Sequence, residues 1–79
     1  MSIREISTAF TAQLGNAGSF VGCTMGYLDG GRLQLLAITF VSADGVRQTI
    51  TRVFNSSSDL IAGARQMALD WIAGTLIGA

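Results

Sequence analysis

The sequence predicts an α+β fold, in which two helices and a three-stranded antiparallel meander follow one another in the order α-β-β-β-α. Three observations predict it. A stripe of apolar residues with helical spacing begins the chain, a strand-like alternation broken by two turn sequences follows, and a long apolar helical segment ends it. With 79 residues the chain has room for a single compact domain, residues 1–79.

The first helix is predicted over residues 3–14. Ser2 and Glu5 have the spacing of a capping box, in which the serine caps the helix start and the glutamate reaches back to it. Gly15 ends the pattern, because glycine is the usual residue just after a helix. The apolar stripe consists of Ile3, Ile6, Phe10 and Leu14.

Three strands are predicted at residues 19–28, 32–41 and 46–54. Glycine tolerates the positive φ of tight turns, so residues 29–31 and 42–45 are predicted to be the turns that join the strands. Such short connections join neighbouring antiparallel strands. The result is a meander with the second strand in the centre.

The side-chain pattern also predicts how the strand faces are covered. Residues 35–41 are apolar on both faces, so the second strand is predicted to be covered on both sides. In the first strand, alternation places Cys23 on an apolar face as a structural thiol, and Phe20 on the other face with Gly22 and Gly26. These glycines are expected to let a helix pack closely, and a groove for a partner or ligand is the alternative.

The third strand has the mixed pattern of an edge or solvent-facing strand, with Arg47 and Arg52 on opposite faces. Residues 55–59 are rich in serine and end in Asp59, which indicates a helix start. A serine is the predicted N-cap. The second helix is expected to continue to Ile77 and to end at the following glycine.

The apolar surface of this second helix is about twice as wide as the roughly 100° stripe that an amphipathic helix needs. Either the first helix covers the excess or another chain does. The second interpretation predicts a two-fold homodimer, the commonest oligomer, and small domains often gain stability in this way. The predicted interface residues are Arg65 as a polar anchor, Leu69, Ala73 and Leu76.

Composition excludes several kinds of chemistry. The chain has no His and one Cys, so a Ser-His-Asp triad, a Cys-His pair and a zinc-thiolate site cannot be built. We therefore expect no catalytic, cofactor-binding or metal site and no enzymatic activity. The first residues lack the apolar segment of a secretory signal, and residues 33–43, the longest charge-free run, are too short to span a membrane. A cytoplasmic protein with no membrane partner is expected.

Five basic and five acidic residues give a net charge of zero, which argues against the basic surface of a nucleic-acid-binding protein. Three arginines, Arg32, Arg47 and Arg52, are the candidates for contacts with an anion or a partner. Ion pairing at the surface is the alternative role for each of them.

The α-β-β-β-α order and the length resemble the layout of the double-stranded RNA-binding domain. That family contacts RNA through lysines at the start of its last helix and through a Pro-His loop between its first two strands. Here residues 56–59 read Ser-Ser-Ser-Asp and residues 28–31 read Leu-Asp-Gly-Gly. The RNA-reading groups are missing at both places, so the resemblance implies a shared layout and leaves nucleic-acid binding as an alternative.

The function expected from these observations is that of a small non-enzymatic protein that acts through protein–protein contact and associates with itself. Autonomous chains of this size are common among the products of phages and mobile elements. An inhibitor that binds a host protein is therefore one expectation, and a component of a virion or another assembly is the alternative.

Overall fold

The computed structural model describes the backbone of residues 2–78 and the side chains of residues 2–74. The element order is α-β-β-β-α, as predicted, and a 3-10 turn follows both the first helix and the first strand. The elements are α1 (Ile3–Leu14), β1 (Gly18–Leu28), β2 (Leu33–Ser42), β3 (Arg47–Asn55) and α2 (Leu60–Gly78).

The three strands form an antiparallel sheet in the order β1-β2-β3, with β2 in the centre as predicted. Leu36, Ile38 and Phe40 point from one face of β2 into the core and are fully buried. They cluster there with side chains of both helices. The alternate β2 residues are half-buried and point to the other side. The prediction that β2 is covered on both sides is therefore wrong, because both helices pack on one face of the sheet.

A β-bulge in β1 changes which residues face the core. Phe20 pairs with Phe40, but the next pair is Gly22 with Thr39, so Val21 is the extra residue. The inserted residue shifts the alternation by one. Phe20 therefore lies on the core face with Cys23, with its ring centroid 6.3 Å from that of Phe10. The prediction that Phe20 shares a face with Gly22 is wrong for this reason.

Both turns form where the sequence predicts them. Residues 29–31 have φ values of 53°, 65° and 90°, a backbone conformation that two glycines adopt without strain. In the second turn Gly45 has φ 85° and its amide donates to the Ser42 carbonyl at 2.8 Å. The Ser42 amide in turn donates to the Val46 carbonyl at 2.9 Å, which closes the β2–β3 hairpin.

The helix starts are capped by side chains. The Ser2 hydroxyl accepts from the Glu5 amide at 3.3 Å, which confirms the predicted cap of α1. At α2 the cap is Asp59, whose carboxylate accepts from the Ile61 amide at 2.9 Å. The predicted serine cap is wrong. The serines form the turn before the helix, where the Ser58 amide donates to the Asn55 carbonyl at 2.8 Å.

The core is built around Phe40 of the central strand. Its ring centroid lies 5.2 Å from that of Phe10 on α1 and 5.0 Å from that of Trp71 on α2, the latter edge to face. Aromatic pairs prefer such tilted arrangements. One residue of β2 therefore joins the sheet to both helices. The buried cluster consists of Ile6, Phe10, Leu14, Leu36, Ile38, Phe40, Ala64, Met67 and Ala68.

Candidate interaction surface

The face of the sheet opposite the helices is uncovered in the described part of the chain, and we call it the open face. The strand register arranges it as five rows of three residues each. The middle residue of each row belongs to β2 and is half-buried between its neighbours. From β1 the open face contains Ser19, Gly22, Thr24, Gly26 and Leu28; from β2 Leu33, Leu35, Ala37, Thr39 and Val41; and from β3 Arg47, Thr49, Thr51, Val53 and Asn55.

Charge is almost missing from the open face. Among the fifteen positions just named, Arg47 is the one charged residue, and it stands in an end row. Most other polar groups are threonine hydroxyls, and those of Thr39 and Thr49 lie 3.1 Å apart as hydrogen-bond partners. When one face of an antiparallel sheet is solvated, the residues that point to that face are usually polar. This face instead combines aliphatic and threonine side chains, which another protein can cover without desolvating many charges.

Gly22 and Gly26 leave two of the five β1 positions on the open face without a side chain. A methyl group added at either glycine would meet no atom of the described chain within 4 Å. The expected close packing of a helix over these glycines is therefore wrong, because both helices lie on the other side of the sheet. The alternative, a surface left free for a partner, agrees with their position.

The exposed side of α2 contains the described residues of the predicted interface. Arg65 and Ala73 are exposed, and Leu69 has 43% of its surface accessible. The side chain of Leu76 lies outside the described residues. Helix α1 covers part of the apolar surface of α2, since Ala64 and Ala68 are buried with α1 residues in the core. It leaves Leu69 and Ala73 free.

Arg65 borders a shallow groove of about 410 Å³ between the two helices. Arg4, Glu5 and Thr8 line the α1 side of this groove, so charged residues of both signs border it.

The three candidate anion-binding arginines do not share one surface. Arg47 pairs with Val41 in the register, whereas Arg32 precedes Leu33 at the opposite end of β2. Arg32 makes an ion pair with Asp29 at 3.4 Å. Arg52 is on the helix-bearing face and donates to the carbonyl of Thr51, its neighbour in the chain, at 3.0 Å. The fold separates these guanidinium groups and concentrates no positive charge.

A cleft of about 400 Å³, which the sequence did not indicate, lies between the second turn and α2. Trp71 and Ile72 form one wall, and Ser42, Asp44 and Gln48 supply polar groups. A hydrogen bond from the Ser42 hydroxyl lowers the pKa of Asp44 below its ordinary value of 3.8, and backbone amides contribute less. The turn therefore keeps a carboxylate beside a half-buried indole. Turn residues alone gave no signal for this, because α2 is distant in sequence.

The remaining candidate for chemistry is Cys23. Burial raises the pKa of its thiol above the ordinary value of 9.0, which disfavours the reactive thiolate. Within the described residues, no group of three His, Cys, Asp or Glu side chains could hold a metal ion. Among the described helices, none has the length and apolar character needed to cross a membrane.

The structure thus defines a two-layer α+β protein in which one layer is two helices and the other is a sheet with an open face. Comparison with models of protein families, with curated proteins and with solved structures finds no match to this chain.

Proposed function

We propose that this protein acts by contact with other proteins and that it associates with itself as a component of a protein assembly. The observation that carries the proposal is the open face, which has one charged residue in fifteen positions and half-buried side chains along its centre, four of them aliphatic and one a threonine. Burying such a surface against a partner removes apolar area from water at little cost in desolvated charge.

The size of the chain supports self-association. A domain of about 80 residues buries a modest share of its surface and is stable by a narrow margin. It often gains the missing stability from disulfides, metals or a partner chain. The single cysteine cannot form a disulfide within the chain. With no His and one Cys the chain cannot build a zinc-thiolate site either, so association of copies is the remaining one of these means.

The position of the exposed surfaces favours an assembly component over an inhibitor. The open face and the exposed α2 residues Leu69 and Ala73 lie on opposite sides of the two layers. A protein with contact surfaces on both sides can be joined to two neighbours at once. An inhibitor of a host protein needs one such surface.

The proposal is tested by the mass of the protein in solution, measured by light scattering after size exclusion at several concentrations. The chain mass is 8.3 kDa, so a dimer has twice that mass, 16.6 kDa. We expect this mass or a larger multiple. A mass of 8.3 kDa at every concentration would contradict self-association.

The Leu69→Asp variant then tests whether α2 contributes the predicted contact. Because Leu69 is exposed and belongs to no core cluster, the circular dichroism spectrum should stay unchanged. A lower mass with an unchanged spectrum would assign the contact to α2, whereas an unchanged mass would assign it to another surface.

A further inference from the structure

The two edges of the sheet differ in charge. β3 carries Arg47 and Arg52 along its nine residues, whereas the eleven residues of β1, Gly18–Leu28, include no charged residue and no proline. In one row of the register Leu36 has Arg52 on the β3 side and Met25 on the β1 side. Soluble proteins place charges or prolines on edge strands to prevent pairing with another strand. By this criterion β3 is protected and β1 is not.

β1 also exposes more large hydrophobic residues than any other described element. Of the eight large hydrophobic residues that are exposed in the described chain, four belong to it. Their exposed fractions are 48% for Val21, 39% for Met25, 69% for Tyr27 and 41% for Leu28. Met25 and Tyr27 point to the helix-bearing face and Leu28 to the open face. The helix-bearing side of this edge is therefore apolar, and its open-face side is uncharged.

The bulge limits which part of β1 can pair regularly. Bulges twist an edge and interrupt pairing, and this one lies between Phe20 and Gly22. The seven residues from Gly22 to Leu28 follow it without a further shift of register. At about 3.3 Å per residue this segment extends for about 23 Å, as long as a typical strand.

We infer that the β1 edge pairs, antiparallel, with β1 of a second copy of this chain, so that two sheets become one continuous six-stranded sheet. The inference rests on the self-association proposed above and names its surface. A two-fold axis perpendicular to the sheet makes such a pair antiparallel and keeps both helical layers on the same side. Full overlap of residues 22–28 places Met25 at the axis and Thr24 opposite Gly26 of the other copy.

A second copy fits this edge better than a charged peptide does. The segment has no charge, so two copies bring no like charges together, and the whole chain has a net charge of zero. In this register Gly26 leaves room on the open-face side of the edge for Thr24 of the other copy, and Gly22 leaves room there for Leu28. Pairing would also join the two open faces into one surface of doubled width.

Thr24 and Thr51 provide a matched test. They flank Ala37 in one row of the open face, and both are exposed threonines, one on each edge strand. Thr24→Lys places two like charges near the proposed axis, and Thr51→Lys places the same charge at the far edge. We expect Thr24→Lys to raise the dissociation constant of the dimer about ten-fold or more and Thr51→Lys to leave it unchanged, as measured by sedimentation or light scattering.

A mixing experiment separates lost pairing from a damaged fold. Thr24→Lys and Thr24→Glu should each be weakly associated alone, and an equimolar mixture should return to the dimer mass because opposite charges then meet. If the Thr24 variants fail to fold by circular dichroism, Met25→Lys and Met25→Glu replace them. The register supports this second pair, since β3 holds an arginine in the same row.

The other outcomes overturn the inference in distinguishable ways. A Thr24→Lys dimer as tight as the parent protein would exclude the β1 edge while leaving self-association intact. Equal loss of association in Thr24→Lys and Thr51→Lys would show that the open faces themselves pack together. A parent protein that is monomeric at every concentration would overturn both the β1 pairing and the proposed self-association.

Discussion

Two glycines of α2, Gly63 and Gly74, have opposite surroundings. A methyl group at Gly63 would lie 2.8 Å from the ring of Phe54, whereas one at Gly74 would meet no described atom within 4 Å. Gly63 is therefore a position at which the backbone of α2 lies directly against a β3 side chain. At Gly74 the glycine has no such packing role and only lowers helix propensity.

This contrast predicts opposite effects of the same substitution. Gly63→Ala forces the Phe54 ring to move and should lower the free energy of unfolding by about 1–2 kcal/mol. Gly74→Ala should raise it by about 0.5–1 kcal/mol, since alanine is the better helix former. Urea unfolding of the two variants measures both effects. Equal stability of the two variants would show that the Phe54 ring moves aside without an energetic cost.

At the scale of elements, the β2–β3 hairpin depends on a polar turn. The hydroxyl of buried Ser42 donates to the Asp44 carboxylate, and its oxygen also lies 3.0 Å from the Val46 carbonyl, which shares the same hydrogen. Because the hydrogen bond from Ser42 needs a carboxylate acceptor, the pKa of Asp44 lies below its ordinary value of 3.8 in the folded protein. The hairpin is therefore coupled to pH.

The sign of this coupling follows from the direction of the pKa shift. A lowered pKa in the folded state stabilises the fold above the ordinary value of 3.8, and the contribution is lost as the pH falls through the lower folded value. We expect the free energy of unfolding to fall below about pH 4 and the fall to be smaller in Asp44→Asn. Urea titrations at a series of acidic pH values measure it. The same slope in both proteins would contradict the role of Asp44.

At the scale of the whole molecule, the two layers have different surroundings. Both helices contribute to the buried cluster on one side of the sheet, while the open face and the β1 edge have no cover in the described chain. The stability of such a small domain is a narrow difference between large terms. Covering these surfaces with a second copy should therefore raise the free energy of unfolding of the whole domain.

Association of this kind predicts that stability depends on protein concentration. A partner that binds the folded chain and not the unfolded chain shifts the unfolding equilibrium by mass action. We expect the thermal midpoint of the parent protein to rise when its concentration is raised about a hundred-fold, because a higher concentration favours the folded dimer over the unfolded chain. The midpoint of Thr24→Lys should stay constant over the same range. A constant midpoint for the parent protein would indicate a monomer.

Local sequence signals determined the elements and their order. The Ser2 cap, the Gly15 stop and the turn glycines act through backbone conformation and hydrogen bonds within a few residues, so they could be recognised without the fold. The edge position of β3 could also be predicted, because Arg47 and Arg52 reflect exposure of that strand. These features were enough to predict the α+β class and the order of its elements.

Only the tertiary structure decided which surfaces are covered. The apolar residues on both faces of β2 do not specify on which face a helix packs. In the structure both helices pack on the same face. The bulge at Val21 depends on pairing with β2, so no periodicity within β1 could place Phe20 in the core. The open face and the unprotected β1 edge arise from these pairings between residues distant in sequence, whose energies a local pattern does not contain.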